Sequence, residues 1–415
     1  MDNPAPGVAR SYYGWIVLAM GTLVVFASLG LGRFGYSAVL PSMQKGLGLD
    51  NTQAGALATA NLAGYLAFCV IGGALAVRFG PRIVIACGLG LAGVAMVMTG
   101  FAGGFASAAF WRALVGIGGA SNVPAMGLMT AWFAPRRRGL AAGIAVAGSS
   151  IALILIGPLA PRIVTAYGAD GWRVCWFFFG GTALLVAVAV AVLLRNRPSE
   201  IGQTPVGARP DEPVAAVSGS PRWADVYTKP IVWLVGLVYI AFGFSYIIYM
   251  TFFKKYLIDE GGYSDVRAGQ LFMTVGWVSL VCGLVWGTVS DVIGRKGALA
   301  IVYFIHAVAF SLFPLWPAPA GFTLSAILFG LSAWSIPGIM AATCGDLLGP
   351  RLAPAALGFI TLFFGMGQAA APYVAGAMAD RWNSFGPALW LSAGVALLGG
   401  VGALLLPLKR AGQEG

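Results

Sequence analysis

Arg33 lies 18 residues after Trp15 in a run that is otherwise almost entirely apolar. A helix rising about 1.5 Å per residue would carry it roughly 27 Å along its axis, into the far third of a membrane crossing. An arginine there costs several kcal/mol on insertion scales unless it is paired or hydrated, so it is a functional candidate by default. Its planar fork matches a carboxylate through two parallel hydrogen bonds. Arg112 opens another apolar run that crosses in the opposite sense, which puts it at a similar depth. The two guanidinium groups could then offer donors to one anion. The competing readings are an interfacial side chain that snorkels for Arg33 and a structural or coupling role for Arg112.

Lys254 and Lys255 close a later run on the same side and would complete a positive vestibule, although Asp259 and Glu260 lie close enough to neutralise them. That run carries Tyr239, Phe242, Tyr246, Tyr249 and Phe253, spaced 3, 4, 3 and 4, so all five share one helical face. Phenols on such a face give apolar walls with polar tips, as binding sites use; helix packing or a lipid-facing side are the alternatives. Tyr36, three residues after Arg33, should share its face. Asn61, Tyr65, Asn122, Ser149, Ser150, Gln270, Trp277, Trp334 and Gln368 are further polar side chains inside apolar runs. Asn122 and Gln368, both at mid-depth, are favoured as binding residues; interhelical glue is the other reading of each. The single histidine, His306, sits midway along its run, where proton coupling and simple packing compete. Gly88-Leu-Gly90-Leu-Ala-Gly93 matches a dinucleotide fingerprint, but no strand precedes it, so the required context is missing.

The elements that must position these residues are membrane helices. Of 415 residues, 59% are hydrophobic and 9% charged, against about 25% charged in a soluble domain. That excludes a soluble enzyme, a nucleic-acid-binding domain and a disordered chain. Twelve apolar runs are expected at 15–41, 52–77, 83–103, 107–132, 139–164, 173–195, 231–257, 268–290, 297–316, 321–344, 354–379 and 386–408, each near the 20 or so residues a spanning helix needs. No cleavable signal peptide is expected, because the first run is too long. The five cysteines sit in apolar runs without ligand spacing and read as packing residues. No cofactor or metal is implied.

The segment 196–229 holds five of the 23 prolines and eight charges, and reads as a mobile linker. It divides the chain into a six-helix unit at 1–195 and another at 230–415. With both termini on one side, that side receives sixteen of the 25 Lys and Arg and the other seven, with Arg33 and Arg112 inside runs. The bias predicts cytoplasmic termini and explains most of the net charge of +11 as topology. The halves also repeat. Gly73-Ala-Leu-Ala-Val77-Arg78-Phe-Gly80-Pro81-Arg82 aligns with Gly287-Thr-Val-Ser-Asp291-Val-Ile-Gly294-Arg295-Lys296, 214 residues later.

Gly287, Asp291, Gly294, Arg295 and Lys296 resemble the signature loop of the major facilitator superfamily, and Arg112-Ala-Leu-Val-Gly116-Ile-Gly118-Gly119 resembles its second motif. In the first loop copy Val77 replaces the expected acid. Arg197-Pro198-Ser-Glu200-Ile-Gly202-Gln-Thr-Pro205 is similar to the central loop of organic-anion permeases of this superfamily, and Gly30-Leu-Gly32-Arg33-Phe34 to a bacterial permease branch. Gly157-Pro158 is a fragment of a motif of drug/proton antiporters. The resemblance covers nearly the whole chain. It implies an all-α fold of 12 transmembrane helices in two pseudo-symmetric six-helix halves. It also implies a rocker-switch carrier whose first, fourth and seventh helices line a central cavity.

The expected function is transport of a small organic anion, a carboxylate, across the inner (plasma) membrane, by proton-coupled symport or anion exchange. The alternative is a drug exporter of the same fold. The expected substrate residues are Arg33, Tyr36, Arg112, Asn122, Tyr246, Tyr249 and Gln368, with Asp291, Arg295, His306 and Asp346 in coupling or gating. Asp291 and Arg295 would form a latch on the cytoplasmic side. No enzymatic activity and no nucleic-acid partner are expected, and the protein should be a monomer in the bilayer.

Overall fold

The computed structural model describes residues 13–208 and 224–407. The expected basic residues Arg10, Arg209, Arg222, Lys409 and Arg410, and linker prolines Pro210, Pro213 and Pro221, lie outside them. Helices α1 (Tyr13–Leu47), α2 (Asn51–Phe79) and α3 (Pro81–Gly100) are followed by α4, made of Phe105–Gly119 and Asn122–Trp132. Then come α5 (Pro135–Tyr167), α6 (Gly171–Leu193), α7 (Pro230–Asp259) and α8, made of Asp265–Ser279 and Cys282–Ile293. Helices α9 (Arg295–Leu315), α10 (Pro319–Gly349), α11 (Ala355–Trp382) and α12 (Gly386–Leu405) complete the bundle.

Among the described residues, eight helical stretches are long and apolar enough to cross a membrane, and up to ten if each bent pair is one span. One of the eight, Pro135–Leu193, doubles back at Gly168–Asp170 into α5 and α6. The two legs run antiparallel, as Gly171 faces Val164 and the Cys175 thiol faces the Ala160 carbonyl.

Local sequence sets the ends. Asp50 accepts from the Gln53 amide at 2.6 Å while the Gln53 side chain accepts from the Asp50 amide at 3.2 Å, a reciprocal cap that starts α2. The two repeated loops turn identically: Gly80 has φ 84° and ψ 143°, and Gly294 has φ 87° and ψ 152°. Only glycine adopts that backbone without strain, so the repeat is geometric as well as sequential.

The start of the linker is docked, contrary to the mobile segment expected from its prolines. Val206 is buried; its amide donates to the Trp132 carbonyl at 2.8 Å, and its own carbonyl accepts from the Ala134 amide at 3.1 Å. The Asn196 side chain accepts from the Arg82 amide at 2.8 Å. Composition did not reveal this strap because its holding groups are backbone amides and carbonyls.

Helices α1, α4, α8 and α10 are irregular at their middles. Residues Phe26–Phe34 of α1 form a π-helix, α4 breaks at Ala120–Ser121, and α8 at Leu280–Val281 with a bend of 44°. Helix α10 breaks beside Trp334. Irregular backbone at membrane depth is tolerated where protein or a wet cavity surrounds it.

Candidate functional site

The π-helical stretch of α1 carries Arg33 to the centre of the bundle, between helices from before and after the linker. Its Nη1 donates to the Tyr246 hydroxyl of α7 at 3.4 Å. Its guanidinium lies 4.7 Å over the Tyr65 ring of α2. The Tyr65 hydroxyl donates to Asn122 Oδ1 of α4 at 3.3 Å, and Gln368 Nε2 of α11 donates to the same Tyr246 hydroxyl. Four expected site residues, Arg33, Asn122, Tyr246 and Gln368, therefore form one connected cluster with Tyr65. Arg33 Nε and Gln368 Oε1 are buried and have no hydrogen-bond partner among the described residues.

Aromatic rings wall the cluster. Phe34 lies 5.4 Å from Trp334, Tyr246 stacks 6.1 Å from Phe364, and the Trp334 Nε1–H donates to Ser150 Oγ at 3.0 Å. Ser150 is also hydrogen-bonded to Ser279 Oγ at 2.8 Å, which ties α5 to α8 and α10 beside the breaks of those two helices. Arg33, Tyr65, Trp334 and Phe364 keep partial exposure although helices surround them, so solvent-sized space reaches the centre. Phe364 carried no polar signal, so sequence reasoning missed it.

Other expected site residues sit elsewhere. Tyr36 turns away from Arg33: its hydroxyl donates to the Ala54 carbonyl at 2.7 Å, and its ring lies 4.5 Å under the Arg112 guanidinium. Arg112 is 1% exposed, donates to the Gly32 carbonyl at 2.6 Å and has Trp176 at 5.2 Å. It braces the π-helical backbone of α1 and does not face the cavity. The three-residue step from Arg33 to Tyr36 does not keep a common face because the π-helix ends between them. Tyr249 bonds to Ser325 Oγ at 2.8 Å among Phe253, Phe310, Phe313 and Phe329. The aromatic stripe thus divides: Tyr239, Phe242 and Tyr246 stack on Phe364, and Tyr249 and Phe253 enter the packing of the second half. His306 is enclosed by Phe242, Phe310 and Phe329, with neither ring nitrogen bonded.

Arg295 donates from Nε to Asp346 at 2.9 Å and from Nη1 to Ser290 at 2.6 Å and to Asp291. This cluster joins α8, α9 and α10 only, rather than latching one half to the other. In the first copy, where Val77 is 89% exposed, Arg82 Nε donates instead to the Ala191 carbonyl at 2.8 Å.

The opposite face of the bundle is closed. Lys254 Nζ donates to the Ala38 carbonyl of α1 at 2.6 Å and pairs with Asp265 of α8 at 2.8 Å. Lys255 pairs with Asp259 at 2.5 Å. Asp380 of α11 accepts from the Asn51 and Thr52 amides at 3.0 and 2.7 Å, at the start of α2. Gly157 of α5 and Gly269 of α8 abut so closely that a Cβ on either would collide with the other's carbonyl. Every residue from Ser245 to Leu257 of α7 is buried. The vestibule expected from Lys254 and Lys255 is therefore absent in this state, since both amines are buried and paired.

The family model of the Major Facilitator Superfamily matches residues 22–363. The chain belongs to that superfamily. It is a multi-pass membrane transporter, and not an enzyme. It is 28% identical to a probable sulfoacetate transporter of Cupriavidus necator, over 94% of this chain and 92% of that one. It is 24% identical to the hexuronate transporter of Bacillus subtilis, over 88% of each. Among solved structures, a bacterial homolog of the human lysosomal transporter Spinster, inward-facing and unoccupied, superposes with a TM-score of 0.71 at 17% identity, covering 96% of this chain and 95% of that one. Its likeness bears on the fold alone.

Proposed function

We propose that the protein carries a small organic anion, a carboxylate, across the inner membrane by alternating access, as a proton-coupled symporter or an anion exchanger. One observation carries this reading. Arg33 is a guanidinium at the centre of the bundle, within reach of both sets of helices, with no acidic partner among the described residues and with Nε unbonded. A cation so placed is stabilised by an anionic cargo, and a carboxylate satisfies its fork. The sulfoacetate and hexuronate transporters among its relatives support an organic anion. The same positive centre disfavours a cationic drug.

Arg33 would hold the carboxylate, with Tyr246, Gln368 and Asn122 fixing the remainder of the cargo. The helices of 1–195 would rock against those of 230–415, with 196–229 joining them. The face carrying the two repeated loops would be cytoplasmic, and the Lys254, Asp265 and Asp380 contacts would part when the opposite face opens. Arg112 would support α1, and Asp291, Arg295 and Asp346 would stiffen the ends of α8 to α10.

The test is uptake of labelled hexuronate and sulfoacetate, with a cationic dye as counter-example, into proteoliposomes of wild type and Arg33→Ala. Loss of anion uptake in the variant with an unchanged melting profile supports the reading. Wild-type uptake by Arg33→Ala sinks it.

A further inference from the structure

We infer that a groove on the outer wall of the first half holds one acidic phospholipid, with an acyl chain between α2, α3 and α4 and the phosphate on Arg78.

The groove has a volume of about 280 Å³, and Phe68, Phe79, Ile83, Cys87, Leu91 and Ile117 are among its lining residues, none of which is charged. Phe79, Ile83, Cys87 and Leu91 are exposed, so the groove opens on the outside of the bundle. Ten residues separate Leu91 from Pro81, the first residue of α3, about 15 Å of helix. That is half of a hydrocarbon core about 30 Å thick, so the groove runs the depth of one leaflet. An acyl chain matches both that length and that lining, and its head group then lies at the loop between α2 and α3.

Arg78 stands at that level. Its guanidinium lies 5.2 Å over the ring of Phe79, which is a wall of the groove. It is exposed, and among the described residues it has no acidic and no hydrogen-bonding partner. Arg82, four residues on, is by contrast spent on the Ala191 carbonyl. The start of α3 at Pro81 adds the preference of a helix N-terminus for negative charge. The surrounding field has one sign: the loops at 78–82, 136–138 and 195–200 carry seven arginines and one acid, Glu200. A zwitterionic head group brings an ammonium into that field, whereas an acidic one brings only negative charge.

The internal repeat supplies a control. A second groove, of about 320 Å³, lies 214 residues later, where Ile301 and Ile305 take the places of Cys87 and Leu91. Size does not separate the two grooves, but charge does. Val292 stands where the first copy has Arg78, and Arg295 is already neutralised by Asp291 and Asp346. The second groove therefore accepts lipid tails without selecting their head groups. In the first, the lipid phosphate supplies the negative charge that the loop lacks at Val77.

Native mass spectrometry of the full chain in detergent, titrated with phosphatidylglycerol or phosphatidylethanolamine of identical acyl chains, tests this. Phosphatidylglycerol is expected to bind about fivefold tighter, the effect of one basic side chain near a lipid surface. Arg78→Gln should bring the ratio of the two affinities close to one. Cys87→Trp, which fills the groove from an exposed position, should do the same by lowering phosphatidylglycerol binding. Ile301→Trp in the second groove and Lys296→Gln in the first turn of α9 should leave the ratio at its wild-type value. Equal binding of the two lipids by the wild type overturns the inference. So does a ratio that survives Arg78→Gln or Cys87→Trp, or one that falls as far in Ile301→Trp or Lys296→Gln.

Discussion

Arg33 and Arg112 are one residue type at the same end of two neighbouring helices, and the fold treats them oppositely. Arg112 is 1% exposed, braces the carbonyl of Gly32 and is covered by two aromatic rings. Arg33 has one weak bond to a phenol and one ring beneath it, and keeps partial exposure at the centre of the bundle. A cation sealed behind rings and spent on a helix carbonyl is architecture; a cation that keeps partial exposure among helices is available to a ligand. Each leaves its Nε unbonded among the described residues, so what separates them is access: Arg112 is sealed by rings, and Arg33 keeps partial exposure.

The widest separation should come from the two alanine variants. Arg33→Ala is expected to lower anion uptake about 100-fold or more, the cost of removing one partner of a desolvated charge pair, with the melting midpoint near wild type. Arg112→Ala should do the reverse: a loss of about 2–4 kcal/mol from the emptied volume and the unbraced Gly32 carbonyl, seen as lower folded yield and melting midpoint, while the KM of the folded fraction holds. If Arg112→Ala raises KM strongly in stable protein, the contrast is broken. Arg33→Lys is the next step down: it keeps the charge and loses the fork, so uptake should fall about tenfold, checked in the same proteoliposomes. Asn122→Ala, which frees the Tyr65 hydroxyl under Arg33, should raise KM a few-fold through one neutral hydrogen bond. The smallest effect belongs to Arg295. Its acids Asp291 and Asp346 are 65% and 59% exposed, so Asp346→Asn should move thermal stability by less than about 1 kcal/mol, read from a melting curve.

The fold was legible because its signals are compositional: long apolar runs, basic bias and a repeated glycine turn. Arg33, Asn122, Tyr246 and Gln368 were legible as polar groups in apolar runs, and each reached the centre. Tyr36 and Tyr249 were misplaced because constant helical periodicity was assumed. A π-helix ending at Phe34 rotates the residues beyond it onto another face, and α7 is enclosed, so one face meets different neighbours along its length. Phe364 left no polar mark, and the breaks at Ala120–Ser121 and beside Trp334 are departures of the backbone, which side-chain types in an apolar run do not announce. The docked strap at Val206 was hidden for the same reason.

The complete enclosure of α7 from Ser245 to Leu257 has a consequence for biosynthesis. Chains are made from the N-terminus, so when Pro230–Asp259 emerges, none of α8 to α12 yet exists to surround it. Lys254 must enter the bilayer before Asp265, six residues beyond Asp259 in the sequence, can pair with it. The first turn of α8 thus carries the first acidic group that can pair with the Lys254 amine. Asp265→Ala should lower the amount of inserted protein in a pulse-labelled membrane fraction more than it lowers the stability of the protein that does insert.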